Sequence, residues 1–214
     1  MIITKYGISL IRLKREHIEL VRQKRNLPHI QEKMIYKKRI SIWRQKRWFK
    51  SINNMYNYYF LIQYNGDFIG LVNGKDADFE NKTMEGGIFI WDSNYWDTHI
   101  PMLATIIMHD CSFFISNFKT LSAKIVNKNK NAINFNLSLG YKIITQQTDI
   151  SLMKLTKEDF VLTSQKIRKS IIQLTKDSEK LNSTNISFKD EDEKSMKLLY
   201  SNLPVDVYNN FFNR

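Results

Sequence analysis

Apolar and polar positions change period several times along the chain, and each change marks an element. Met84 is followed by Glu85-Gly86-Gly87-Ile88-Phe89-Ile90-Trp91, a short run rich in β-branched and aromatic residues that favours a strand. Residues 92–99 are polar and suit a loop. From Ile100 the apolar residues fall at 100, 103, 107, 111, 114 and 118. Those steps of three and four mark one face of a helix, with His109 on its polar, surface side. Residues 121–126 alternate as a further strand. Residues 129–139 form a short helix, and Gly140 stands where a helix needs a left-handed stop.

Ahead of this unit, residues 8–13 read as a strand and residues 16–25 as a helix with Ile18 and Val21 turned inward. Leu27-Pro28 breaks that helix, and a shorter one follows over 29–34. Ser41 suits the N-cap of a third helix over 42–52. In it, Ile42, Trp43, Trp48, Phe49 and Ile52 interleave with Arg44, Lys46, Arg47 and Lys50. Residues 58–64 and 68–72 are strands joined by Asn65-Gly66-Asp67, a hairpin signal because Asn and Gly tolerate positive φ. Residues 74–83 read as a polar connection. After Tyr141, residues 143–147 and 150–155 read as a closing pair of strands. No internal repeat is visible, and the mixture of strands and crossing helices predicts an α/β layered fold.

Beyond residue 156, Phe160, Ile167, Ile171, Leu174 and Leu181 recur at amphipathic-helix spacing. Ser183-Thr184-Asn185 reads as a break. A last helix has acids at 190–193, bases at Lys194 and Lys197, and a stripe of Met196, Leu199 and Leu203 before Pro204 stops it. This tail packs on the core, covers an acceptor site or joins two subunits into a homodimer.

Composition narrows the class. The chain has 214 residues, 43% of them hydrophobic, enough for a sizeable core. No apolar run reaches the ~20 residues that span a bilayer, and the start lacks the apolar stretch of a secretory signal. Cys111 is the only cysteine, which leaves no disulfide framework and no cysteine metal cluster. The expectation is a soluble cytoplasmic protein without a metal site; His17 and His29 have no metal-like partner spacing. The net charge of +12 is local: residues 1–60 hold 15 Lys and Arg against 3 acids, and the remainder balances. A solvated helix face would produce such a bias, and so would an electropositive wall for an anionic ligand.

The order strand, loop, helix, strand, helix over 84–141 carries a resemblance. With Ala123-Lys124-Ile125-Val126-Asn127-Lys128-Asn129-Lys130-Asn131-Ala132-Ile133 and then Leu139-Gly140-Tyr141, it resembles the core of the GNAT superfamily of N-acetyltransferases. The resemblance extends over residues 8–156. It implies a mixed, mostly antiparallel sheet with a splayed central strand flanked by helices. The domain is then 1–156, with a helical C-terminal extension over 157–214. Arg25-Asn26, Met34, Ile40-Ser41 and Trp48-Phe49 resemble the N-terminal half of two branches. One branch acetylates amino sugars on nucleotide carriers; the other acetylates N-termini of ribosomal proteins.

By that resemblance acetyl-CoA is the cosubstrate, and Phe89, Ile90 and Trp91 lie along the pantetheine and acetyl group. Trp96, Thr98, His99 and Ile100 hold the pyrophosphate, and Asn129 contacts the pantetheine. The family pattern at the pyrophosphate is Gln or Arg, two residues, Gly, one residue, Gly or Ala. Here Trp96, His99 and Pro101 fall at those positions. Glu85 matches the strand position of a general base, which a partly apolar cleft would tune upward. The position of the usual Tyr acid is Asn136, and no Tyr stands between Lys119 and Tyr141. Arg25, Asn26, Trp43, Arg47 and Trp48 are acceptor-side candidates, Arg for phosphate and Trp for stacking. Three readings follow. They are acetyl transfer to an amine on a nucleotide-linked amino sugar, acetyl transfer to a protein N-terminus, and a degenerate fold that binds RNA or another polyanion without catalysis.

Overall fold

A computed structural model of the chain describes residues 1–175, 185–187 and 203–212. Leu181, Ser183, Thr184, the acids at 190–193, Met196 and Leu199 lie outside the described residues. The elements begin with β1 (Ile2–Lys5), β2 (Ile8–Arg12), α1 (Ile18–Arg25), α2 (Pro28–Gln31) and α3 (Ile42–Ile52). Next come β3 (Tyr58–Tyr64), β4 (Asp67–Asp78), β5 (Thr83–Ile90), α4 (Ile100–Asp110), β6 (Thr120–Val126) and α5 (Lys130–Ser138). The chain continues through β7 (Lys142–Gln146), β8 (Ile150–Thr156), α6 (Lys157–Thr175), β9 (Asn185–Ser187) and α7 (Val205–Phe212).

The strands form one sheet in the order β7-β8-β6-β5-β4-β3-β2-β1-β9. Every neighbouring pair is antiparallel except β5 and β6. β1 escaped the sequence reading because four residues carry little pattern. It forms a tight hairpin with β2 through Tyr6 and Gly7, at φ 55° and 73°. β4 is longer than the 68–72 predicted. Asn73, Gly74 and Lys75 stay in register opposite Gly87, Gly86 and Glu85, so most of the expected polar connection is strand. Of its polar side chains, Asn73 lines a cleft, Lys75 reaches Glu85 and Asp76 is exposed to solvent.

Two clusters cover the sheet. On one face, Val21 of α1, Ile30 of α2 and Ile52 of α3 pack with Tyr59, Leu61, Leu71 and Trp91. On the other, α4, α5 and α6 pack on the larger cluster through Leu103, Ile107, Ile133, Leu139 and Phe160. The predicted long helix is α4 followed by a π turn over Cys111–Ile115. It has no solvent face: every α4 residue but Met102 is buried. The reason is α6, which follows β8 without a linker and lies across α4. Phe160 touches the His109 and Phe113 rings at 5.3 Å each, and Arg168 pairs with the buried Asp110. Ile171 and Leu203 join the same cluster, so the C-terminal extension completes the core. Asn185, predicted to lie in a break, begins β9, which pairs with β1; α7 starts directly after Pro204. Among the described residues, no helix is long and apolar enough to cross a membrane. No group of three His, Cys, Asp or Glu could hold a metal ion there.

Candidate active site

The site begins where β5 and β6 part. They pair only at Thr83↔Thr120, Met84↔Leu121 and Glu85↔Ser122. From Gly86 to Ile90, β5 stays paired with β4 on one side and has no strand on the other. A backbone edge left open inside a protein is a template for a ligand carrying amides of its own. The fork opens into a cleft of about 630 Å³, lined by β5 from Gly86 to Ile90 and by β6 at Ala123, Lys124 and Ile125. Asn129, Ala132 and Asn136 of the α5 region line it as well. Asn129 caps α5 by accepting from the Ala132 amide at 3.2 Å, and Gly140 ends the segment at φ 98°. The caps hold α5 alongside the opening.

Side chains alternate across β5, and the two sides of the fork differ in chemistry. On the α1–α3 side, Glu85 binds Lys75 at 3.0 Å and Lys124 at 2.9 Å. Burial raises its pKa, but the two ammonium groups outweigh that and hold the carboxyl below the usual range. Further along, Arg25 lies over the Phe89 ring at 5.7 Å and Lys33 over the Trp96 ring at 3.7 Å. Burial lowers the Arg25 pKa, and its Nη1 is buried without a hydrogen-bond partner. Of the charged residues, Lys33, Lys124 and Asp97 line the cleft itself, while Arg25, Lys75 and Glu85 stand behind that lining and Asp76 is solvent-exposed, so this side carries a small positive excess. On the α4 side, the floor of the fork holds a buried pair. His109 Nε2 and Tyr141 Oη are 3.1 Å apart, and both residues line the cleft. Burial pushes the His109 pKa down to about 3 and the Tyr141 pKa up, so both are neutral.

The profile of the acetyltransferase (GNAT) domain matches residues 13–162. The chain belongs to the GNAT acetyltransferases. Its fold is similar to spermidine N-acetyltransferase from Vibrio cholerae in complex with CoA and spermine. The TM-score is 0.67 at 14% identity, covering 73% of this chain and 99% of that one. It is also similar to apo FdhC, a nucleotide-linked sugar GNAT, with TM-score 0.65, 17% identity and coverage of 78% and 94%. A putative acetyltransferase from T. thermophilus aligns with TM-score 0.63, 10% identity and coverage of 79% and 96%. These likenesses establish the fold. No curated protein sequence matches the chain.

Phe89, Ile90, Trp96 and Asn129 line the cleft, where the GNAT resemblance puts them. Trp91 does not. Its ring is buried in the α1–α3 cluster and its indole donates to the Phe68 carbonyl at 2.8 Å. Trp96 donates to the Ile90 carbonyl at 2.9 Å, so this end of the open edge is occupied by an indole of the protein. At the start of α4, Thr98 Oγ1 donates to the Tyr95 carbonyl and accepts from the Ile100 amide. With Pro101 lacking an N–H, the first two residues of the helix offer no amide to a phosphate. The Ile100 side chain is buried in the core and His99 is exposed, its side chain forming no cap bond.

The acceptor candidates divide similarly. Arg25 does not itself line the cleft but lies over Phe89, which does. Asn26 instead ties the 33–41 segment down, bonding the Ile40 carbonyl and amide at 2.9 and 2.8 Å. Trp48 packs edge-on against Tyr59, and Arg47 and the 78%-exposed Trp43 lie on the outer face of α3. None of these last three lines the cleft, because α3 turns its apolar stripe to the sheet and its basic face to solvent. Glu85 is at the fork but has the opposite tuning to that predicted. Lys75 and Lys124, whose pairing with it decides this, were missed; their β4 and β6 registers are not visible in one-dimensional spacing. His109 was predicted at the surface and is 4% exposed.

Proposed function

We propose that the protein transfers the acetyl group of acetyl-CoA to a primary amine carried on an anionic acceptor, a nucleotide-linked amino sugar. One observation carries the acceptor class: the charged residues lining the cleft are Lys33 and Lys124 against Asp97, and beside them Arg25, lying over the cleft-lining Phe89, has a cation without a partner at Nη1. A polycationic acceptor such as a polyamine would meet like charge there, whereas a nucleoside diphosphate supplies what Arg25 lacks. The cosubstrate fits the other half of the site. Its pantetheine amides match the open edge of β5 from Gly86 to Phe89, with Asn129 across from them.

The amine attacks the thioester carbonyl, the C–N bond forms, and the C–S bond breaks. Positioning and charge stabilisation supply most of the rate in such a step. Glu85 receives the amine proton through water. Its lysine partners keep it ionised throughout the neutral range, which is the state a base needs, though they reduce its proton affinity. Calorimetry with acetyl-CoA, followed by thiol release with nucleotide-linked amino sugars, spermidine and N-terminal peptides, tests the proposal. Saturable acetyl-CoA binding with turnover on the nucleotide-linked amine is the expected outcome. No binding at millimolar acetyl-CoA removes the enzyme reading, and preference for spermidine removes the anionic acceptor.

A further inference from the structure

The position that usually carries a tyrosine acid is Asn136, whose amide donates to the Ala132 carbonyl at 2.8 Å and holds no transferable proton. The fork nevertheless contains a phenol. A Cβ built on Gly86 would lie 3.4 Å from Tyr141 Oη, so the hydroxyl sits against β5 at the first residue beyond the closed pairs. A chain threaded between β5 and β6 from the open end runs out of space there. Its terminal, reacting group therefore meets Tyr141.

The hydrogen-bond inventory orients the hydroxyl. His109 is 4% exposed, and its Nδ1 has no partner. A proton on Nδ1 would be a buried, unsatisfied donor, which costs more than a bare lone pair. The proton therefore sits on Nε2 and is donated to Tyr141 Oη across 3.1 Å. Tyr141 accepts from His109, and its own O–H is free to point into the cleft. Burial keeps the phenol protonated and the imidazole neutral, so the pair adds no competing charge.

Resting on the acetyltransferase reading, we infer that Tyr141, oriented by His109, donates a hydrogen bond to the thioester sulfur as the C–S bond breaks. The amine nitrogen forms the new C–N bond and the sulfur leaves with the electron pair. Tyr141 shares its proton with the thiolate without transferring it, since a buried phenol is a weaker acid than a thiol. Water in the cleft completes the thiol, and the amine proton leaves by way of Glu85. The role belongs to a residue that the sequence pattern presents as a helix-ending aromatic.

The test uses Tyr141→Phe in the full chain, with acetyl thioesters whose leaving thiols span a range of acidity. Acetyl-CoA affinity should stay within about threefold of the parent, and turnover should fall on the order of 100-fold, as when one fixed donor is removed. The deficit should shrink as the leaving thiol becomes more acidic, which a purely structural defect would not produce. Because Tyr141→Phe strands the His109 N–H, the double variant His109→Leu/Tyr141→Phe removes both partners and restores the packing. It should fold and show the same leaving-group dependence. If the parent binds and turns over acetyl-CoA while either variant stays within about threefold of its turnover, the assignment is wrong. A uniform loss across all thioesters overturns it too. A parent that binds no acetyl-CoA fails the acetyltransferase reading itself, a separate result.

Discussion

Arg25→Met should stabilise the free protein and impair its use of the acceptor, two effects of opposite sign. The guanidinium is partly withdrawn from water over Phe89, its pKa is lowered by burial, and Nη1 is left unsatisfied. A buried unsatisfied polar group costs about 1–3 kcal/mol, and the contact of the cation with the ring returns about 0.5–1 kcal/mol of that. Met keeps the apolar stem and removes the charge. The net gain is about 1 kcal/mol, or roughly 2–4 °C in Tm for a chain of this size. On the proposed reading, the same side chain would make a charge-assisted contact to the acceptor's phosphate. Losing it should cost about 1.5–3 kcal/mol, roughly ten- to a hundredfold in acceptor affinity. Thermal unfolding of the free protein, with and without acetyl-CoA, measures the first effect. Acceptor titration at two salt concentrations measures the second, and its salt dependence should weaken in the variant. Acetyl-CoA affinity should be unchanged. A Tm that falls by several degrees would show that Arg25 is satisfied from within the fold, and the argument for an anionic acceptor would go with it. If acetyl-CoA binding falls while acceptor binding holds, the two sides of the cleft have been assigned in reverse.

Glu85→Gln should lower kcat by about 10²–10⁴-fold with little change in acetyl-CoA affinity, and a loss under tenfold assigns the carboxylate to holding Lys75 and Lys124 alone. Because its folded pKa is lowered, Glu85 adds stability that is present above its unfolded pKa and lost as pH falls through the folded value. The Gln variant should therefore lose part of the parent's acid-induced destabilisation below about pH 4.3 in urea melts. Pro101→Gly restores an amide at the start of α4, so acetyl-CoA affinity measured by calorimetry should rise or stay level while Tm falls slightly. A large loss of affinity would place the pyrophosphate elsewhere. His109 is buried neutral with a pKa of about 3, against an ordinary 6.5. The unfolded chain thus binds the extra proton between those values, and stability falls as pH drops from 6.5, by up to about 1.4 kcal/mol per pH unit. His109→Leu should flatten that part of the stability profile. Unchanged slopes would mean that the ring is reached by water or by a proton shared through Tyr141.

Much of the architecture was legible because it rests on local rules. Ser41 accepting from the Arg44 amide starts α3, Asn65-Gly66 turns β3 into β4, Asn129 caps α5 and Gly140 ends it at positive φ. Each is decided within a short stretch of chain, so the strand–helix order of residues 84–141 could be read directly, while the place of Phe89, Ile90 and Asn129 along the cleft followed from the family resemblance, which put Trp91 there as well. What depended on distant chain segments could not. The periodicity of α4 gives His109 and Asp110 a solvent side only if nothing covers it; α6, far later in the chain, lies there and buries both. The same burial makes His109 neutral and gives Tyr141 its partner. Glu85 has two lysines beside it because β4 and β6 both flank β5, and pairing register decides that, not spacing along one strand. Trp43, Arg47 and Trp48 show the reverse case. Side-chain chemistry and the resemblance marked them as a binding set, but the rotation of α3 against the sheet packed Trp48 partly against the core and left the other two in solvent. A sequence carries the chemistry of its side chains and the local bonds that start and stop elements. Which charges meet, which are stripped of water and which face a cleft are set by packing between segments far apart in the chain.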